Sequence, residues 1–135
     1  MDFSKINYFA VVAAALSTFV LGGLWYSPLL FGKAWMRVNN LSESDVAGFS
    51  KARMFGWSIL FALVMSLDLA MFLAAPNTNL AWGIAAGALA GVGWVAMAVA
   101  IIALFENKSW RYIAINGGYM IVAFIVMGAI LGAWR

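Results

Sequence analysis

Asp68 is the ionisable residue that falls deepest inside a long apolar stretch of this chain. It stands eight residues before Pro76, which at 1.5 Å per residue puts it about 12 Å inside the nearer end of its segment. An Asp at the centre of a membrane-spanning helix costs about 2.5–3.5 kcal/mol on insertion scales, so such a residue is a functional candidate by default. No Lys, Arg or His shares its depth. Burial therefore disfavours the charged form, and two states remain: a neutral acid donating a hydrogen bond, or a carboxylate holding a cation. The plain structural alternative is a protonated Asp68 bonded to Ser17, Thr18 or a backbone carbonyl. Asn116 and Tyr119, three apart and so on one helix face, form the next polar pair within an apolar stretch, and Trp94 offers an indole N–H. Each of these three is more often an interhelical hydrogen-bonding group than a ligand contact.

Little other chemistry is available. Cysteine and histidine are both absent, which removes thiolate nucleophiles, imidazole bases, disulfides and the usual nitrogen and sulfur metal ligands. The carboxylates are neither paired nor spaced for a metal, the serines have no neighbouring base, and Glu106 beside Lys108 reads as a solvated loop charge. Gly22-Gly23 and Gly117-Gly118 lie within apolar segments, not between a strand and a helix, and so are not phosphate cradles. No catalytic residue, metal or cofactor is expected, and the chain does not read as an enzyme.

The elements that must position Asp68 are set by composition. With 66% hydrophobic and 10% charged residues, against about a quarter charged in soluble domains, the chain reads as integral to a membrane. A hydrocarbon core about 30 Å thick takes about 20 apolar residues per helical crossing. Four segments meet that length: residues 6–26, 54–75, 80–104 and 113–134. A membrane barrel would instead show ~10-residue stretches of alternating character. The expectation is an all-α, single-domain bundle of four transmembrane helices over residues 1–135. The first span is too long, and too aromatic at Trp25-Tyr26, for a cleaved signal peptide.

Charge sets an expected orientation. Lys33, Arg37, Lys51, Arg53, Lys108 and Arg111 lie between spans one and two or three and four, whereas the opposite side carries Lys5 and Arg135. The positive-inside rule places loops 27–53 and 105–112 in the cytoplasm and both termini outside. Trp25, Tyr26, Trp35, Trp57, Trp110, Tyr112 and Trp134 fall near the span ends, as an interfacial aromatic belt does. The net charge of +3 is thus a topology signal spread along the boundaries, not a nucleic-acid footprint. Between Pro28 and Asn40, Phe31, Ala34, Trp35 and Val38 share one helical face while Lys33 and Arg37 share the other. That predicts a short interfacial helix with Lys33, Trp35 and Arg37 as candidate lipid contacts. Ser42 and Asp45 have capping-box-like spacing, so a helix is expected to begin near Glu43 and run through Lys51 to Arg53 into the second span.

Small residues recur at every fourth position: Ala10, Ala14, Thr18 and Gly22 in the first span; Ser58, Ala62, Ser66, Ala70 and Ala74 in the second; Gly83, Gly87 and Gly91 in the third; Gly128 and Gly132 in the fourth. Lipid tails are as apolar as leucine, so such ribbons mark packing surfaces where backbones approach closely. They serve one bundle or a seam between copies. Asp68 points about 180° from the Ser66/Ala70 ribbon at 100° per residue, and so faces a pocket, a partner chain or a bound molecule. A shift of 62 residues lays Gly56-Trp57, Ile59-Leu60 and Val64-Met65 onto Gly118-Tyr119, Ile121-Val122 and Val126-Met127. The two halves therefore read as pseudo-repeated parallel helical hairpins.

The run from Gly22 to Trp35, Gly-Gly-Leu-Trp-Tyr-Ser-Pro-Leu-Leu-Phe-Gly-Lys-Ala-Trp, with Ile115-Asn116-Gly117-Gly118-Tyr119 and Met127-Gly128-Ala129-Ile130-Leu131-Gly132, resembles bacterial membrane proteins catalogued as domain of unknown function 1761. The likeness extends over nearly the whole chain. It implies a small domain of about four membrane helices in a bacterial cytoplasmic membrane, and it carries over no activity or catalytic residue. Asp68 lies outside the resembling motifs.

Two functions follow. An intramembrane acid without a counter-ion favours a small carrier or channel-like protein for a solute or cation, working as a homo-oligomer because four helices enclose little volume. That reading expects a polar cavity containing Asp68, with Asn116 and Tyr119. The other is a non-transporting accessory subunit that binds lipid or another membrane protein through its small-residue ribbons. It expects a closed apolar bundle with Asp68 at a contact surface.

Overall fold

The computed structural model describes residues 2–135 and contains no strand among them. Four helices are long and apolar enough to cross a membrane: α1 (Tyr8–Trp25), α4 (Lys51–Phe72), the near-continuous α5 (Leu80–Ala90), π segment (Gly91–Ala96) and α6 (Met97–Phe105), and α7 (Trp110–Ala133). The expected four-helix membrane bundle is the fold. Two short helices, α2 (Gly32–Val38) and α3 (Glu43–Ala47), occupy the long loop after α1.

Each span starts where a short polar side chain can take up orphan amide donors. Asn7 accepts from Phe9 and Ala10, Ser50 from Arg53, Asn79 from Trp82, and Ser109 from Tyr112. Three of these caps move the starts by two or three residues from those that hydropathy alone sets, and the third span begins at Leu80 as expected. The expected helix running from Glu43 into the second span is divided in two. The capping box of Ser42 and Asp45 is present, but α3 ends at Gly48, and Ser50 then caps a fresh helix. A side chain that offers its own N-cap competes with continuation of the helix before it.

The bundle is built outward from α7. Successive spans run antiparallel, and α5 lies against α7 along Gly83, Gly87 and Gly91 on one side and Gly128 and Gly132 on the other. A β-carbon on Gly83 would strike the Gly128 carbonyl, and one on Gly128 would strike that of Gly83. The ribbon spacing breaks at the π segment, a departure from the regular helix expected there. After Gly91 the next residue buried in the seam is Ala96, five positions on, where it meets Gly117. The wider turn keeps α6 on α7 where a four-residue step would carry its small residues off the seam.

On its other side α7 holds α1, and α1 in turn holds α4. Ala10, Ala14 and Thr18 of α1 and Ala62, Ser66, Ala70 and Ala74 are all buried, with the Ser66 hydroxyl donating to the Val11 carbonyl at 2.8 Å. The core, Val11, Leu69, Leu73, Phe124, Met127 and Leu131 with the alanines between them, fills the half of the bundle nearer the termini. That end is closed by Asp2 N–H to the Ala74 carbonyl and by the Arg135 guanidinium to the Ala75 carbonyl. The first member of the α4 ribbon, Ser58, is exposed and takes no part in this packing. Every residue from Ser50 to Phe61 is exposed, so the loop-side half of α4 packs loosely on its neighbours, with the Phe55 ring 6.3 Å from that of Phe19 on α1.

Two measurements check this architecture. Gly83→Ala and Gly128→Ala should each destabilise the detergent-solubilised protein by about 1–3 kcal/mol through overpacking, whereas Gly56→Ala, with nothing within 4 Å of the added carbon, should be neutral or slightly stabilising. Denaturation in mixed micelles reads both. In α3, the Ser42 backbone N–H and hydroxyl hold the Asp45 carboxyl below its ordinary pKa of 3.8. A depressed carboxylate supports the fold above its unfolded pKa and loses that support as pH falls through the folded one. Amide exchange of residues 43–47 should therefore accelerate, beyond its intrinsic pH dependence, below about pH 4.

Candidate functional site

Two groups of side chains stand out, and they lie on different parts of the bundle. The first joins α1, α2 and α7 at the loop end. Trp25 Nε1 donates to the Ile115 carbonyl at 2.9 Å, the Tyr26 hydroxyl to Asn116 Oδ1 at 2.8 Å, and the Tyr119 hydroxyl to the Thr18 carbonyl at 2.9 Å. Asn116 Nδ2 donates in turn to the Tyr112 carbonyl at 3.0 Å. The rings of Tyr26 and Tyr119 meet edge to face at 5.3 Å, and Trp35 of α2 meets Tyr26 in the same way at 6.0 Å.

Glycines make these contacts possible. A β-carbon at Gly22 would lie 3.3 Å from the Tyr119 hydroxyl, and one at Gly118 would lie 3.2 Å from the Trp25 ring. At Gly32, which begins α2, a β-carbon would collide with the carbonyl oxygens of Tyr26 and Ser27. The two strings separated by some 90 residues thus meet as one latch, in which polar atoms are bonded and the small residues make room for rings. It fixes α1 on α7 and seats α2. Lys33 and Arg37 stay exposed on the far side of α2 while Trp35 is half-buried, as the amphipathic pattern requires. Among the described residues no buried side-chain polar atom lacks a hydrogen-bond partner.

The second group surrounds Asp68. This residue is exposed and makes no hydrogen bond or ion pair in the structure. The expected bond to Ser17 or Thr18 does not form. Those hydroxyls donate along their own helix, to the carbonyls of Ala14 and Ala15 at 2.6 and 2.7 Å. Asp68 therefore shares no cavity with Asn116 and Tyr119, which the latch has already engaged. Trp94 is also exposed, and its ring lies 6.0 Å from that of Phe72. Asp68 and Phe72 are four residues apart, about 40° around the helix and one turn along it. Asp68 thus stands one turn to the loop side of the Phe72–Trp94 pair that bridges the gap between α4 and α5, beside that gap and not among the residues that line it.

That gap is the open edge of the bundle. A cavity of about 370 Å³ lies along it, lined by Leu69 and Phe72 of α4, by Trp82, Ala86, Leu89 and Ala90 of α5, and by Trp94 of the π segment. Sequence reading missed this groove and the donor roles of Trp25 and Tyr26. The signal was present as a second stripe, Trp82, Ala86, Ala90 and Trp94, one residue before each seam glycine and then carried on by the π segment. A small cleft at the terminal end, lined by Lys5, Asn7, Ala70 and Arg135 among others, holds about 10 Å³, enough for a single water. Among the described residues no group of His, Cys, Asp and Glu could hold a metal ion.

The latch yields a direct prediction. Tyr119→Phe and Tyr26→Phe should each lower stability by about 0.6–1.7 kcal/mol, the range for hydrogen bonds between membrane helices, and Gly118→Leu by more because it displaces the Trp25 ring. Unfolding followed by tryptophan fluorescence would measure all three. No curated protein and no solved structure shows significant similarity to the chain. The family model that does match covers residues 9–132, including every residue of the latch, so the chain belongs to the family described as protein of unknown function (DUF1761).

Proposed function

We propose that this protein is a non-transporting interaction subunit, which packs the loop-side half of α4 against a transmembrane helix of another subunit, either a second copy or a different membrane protein. The observation that carries this reading is the run from Ser50 to Phe61, exposed on every side of a helix long and apolar enough to span the bilayer. Gly56 sharpens it. A glycine inside a helix costs roughly 0.5–1 kcal/mol relative to alanine, and nothing in the chain comes within 4 Å of its missing side chain. With Ala52 it forms a small-xxx-small pair, the pattern that admits a partner helix at close range. Trp57 and Phe61, their rings 6.0 Å apart and tilted by 30°, flank it with apolar area.

The carrier reading has less support. Asn116 and Tyr119 are spent within the latch, and neither cavity is a polar passage lined by Asp68. In this proposal the loops at 27–53 and 105–112 face the cytoplasm and both termini face outward, with Lys33 and Arg37 near lipid phosphates and Trp35 holding α2 at the interface. The membrane is a cytoplasmic one.

The chain has no cysteine, so single-cysteine cross-linking in native membranes is direct. Leu60→Cys should give a discrete adduct of higher mass, and Val20→Cys, exposed on α1, should not. Gly56→Leu should abolish the adduct while leaving the fold intact. A chain that stays monomeric under gentle extraction and cross-linking overturns the proposal. So does a cation flux in liposomes that Asp68→Asn removes.

A further inference from the structure

We propose that the open α4–α5 edge is a binding site for a lipophilic organic cation, held by Asp68 and by the aromatic walls of the groove. Three observations converge. The groove, at about 370 Å³, falls within the roughly 300–1,000 Å³ of small-molecule sites. Its lining includes Phe72, Trp82 and Trp94, and aromatic faces attract cations through the ring quadrupole, most strongly where water is scarce. Asp68 does not line the groove but borders it, one helical turn from Phe72 and about 40° around α4, exposed and without a hydrogen bond or ion pair in the chain.

Charge complementarity selects the occupant. An acid within the apolar zone of a span is stabilised by a positive partner, and the chain supplies none: the cations of α4 are Lys51 and Arg53 at its far end, and α5, the π segment and α6 contain none. An inorganic ion would need several oxygen ligands, which the apolar lining does not provide. An ammonium or phosphonium centre with alkyl or aryl substituents needs only the carboxylate and the rings, while its body fills the groove. Such a ligand enters sideways from the hydrocarbon layer, because the edge opens there. This site lies apart from the loop-side half of α4 and does not depend on the helix docked against it.

The test uses the full chain in phosphatidylcholine nanodiscs, with empty discs subtracted and radiolabelled tetraphenylphosphonium as probe. Saturable binding near one probe per chain is expected, displaced by dodecyltrimethylammonium and not by dodecanol. Asp68→Asn should weaken affinity about tenfold to a hundredfold, as loss of a charged partner does, whereas Asp68→Glu should stay within about threefold. Trp94→Ala should weaken binding, and Trp57→Ala, outside the groove, should not. Asp68 is exposed and makes no hydrogen bond or ion pair within the bundle, so Asp68→Asn is expected to fold normally, which size-exclusion and circular dichroism verify. Absence of saturable binding to the native protein overturns the proposal, as does equal affinity in Asp68→Asn. Loss of the Leu60→Cys adduct with probe binding retained leaves this site standing.

Discussion

The near-contact of backbones between α5 and α7 is the constraint on which the remaining structure depends. In hydrocarbon, burying leucine against leucine gains little over leaving it in lipid, so helices associate where their backbones can come close enough for dense van der Waals contact. Gly83, Gly87 and Gly91 meet Gly128, Gly132 and the backbone at Phe124 and Ile121 so closely that most of these positions have no room for a single added carbon. The π segment extends the same seam past the point where a regular helix would lose it. With one face given to α5, α7 has its other face free for α1, and α4 is left to pack mainly on α1. The four helices therefore form an arc that does not close.

That arc explains which polar groups are quiet and which are not. On the closed side, among the described residues, the buried side-chain polar groups have partners: Ser66 bonds Val11, Tyr119 bonds Thr18, Trp25 bonds Ile115, and Tyr26 bonds Asn116. These bonds cross between helices that glycines and alanines have already drawn together. On the open side lie Asp68 and Trp94, both exposed, and the shares of the second and third spans buried within the chain, 22% and 17%, are below the 28% and 33% of the first and fourth. An arc of this kind has a surplus of apolar and polar recognition groups along one edge. Both the docking of a second helix and the capture of a lipophilic cation draw on that surplus, at different heights.

The two strings that carry the sequence resemblance acquire a physical meaning from the same geometry. Gly22, Trp25, Tyr26, Gly32 and Trp35 in one string and Asn116, Gly118 and Tyr119 in the other are the parts of a single latch. Their types follow from its construction: rings that need a hydrogen-bond acceptor on a neighbouring helix, glycines that admit the rings, and a buried Gly32 where the chain turns back beneath Tyr26. Nothing in the latch requires a ligand. The motif residues hold the scaffold together, and Asp68 lies outside them.

Hydropathy over windows of some twenty residues determined the four crossings, because a span must be apolar along its whole length whatever it packs against. Local chemistry likewise determined the caps: Ser42 with Asp45 reads directly as a capping box, since both partners lie within one turn. The glycine and alanine ribbons were legible as packing faces because their period is that of the helix. Other features depend on groups far apart in the chain. The break at Gly48 to Ser50 is local, set by the Ser50 cap, but the π segment departs from a helical pattern that would otherwise run through, and it matters because α7 demands a continuous seam. That Tyr26 would find Asn116, that Thr18 and Ser17 would turn their hydroxyls back onto their own helix, and that Asp68 would be left alone on an open edge were decided by which helices touch. Apolar periodicity marks a face for contact but carries no information about which other face it meets, and only the tertiary structure supplies that choice.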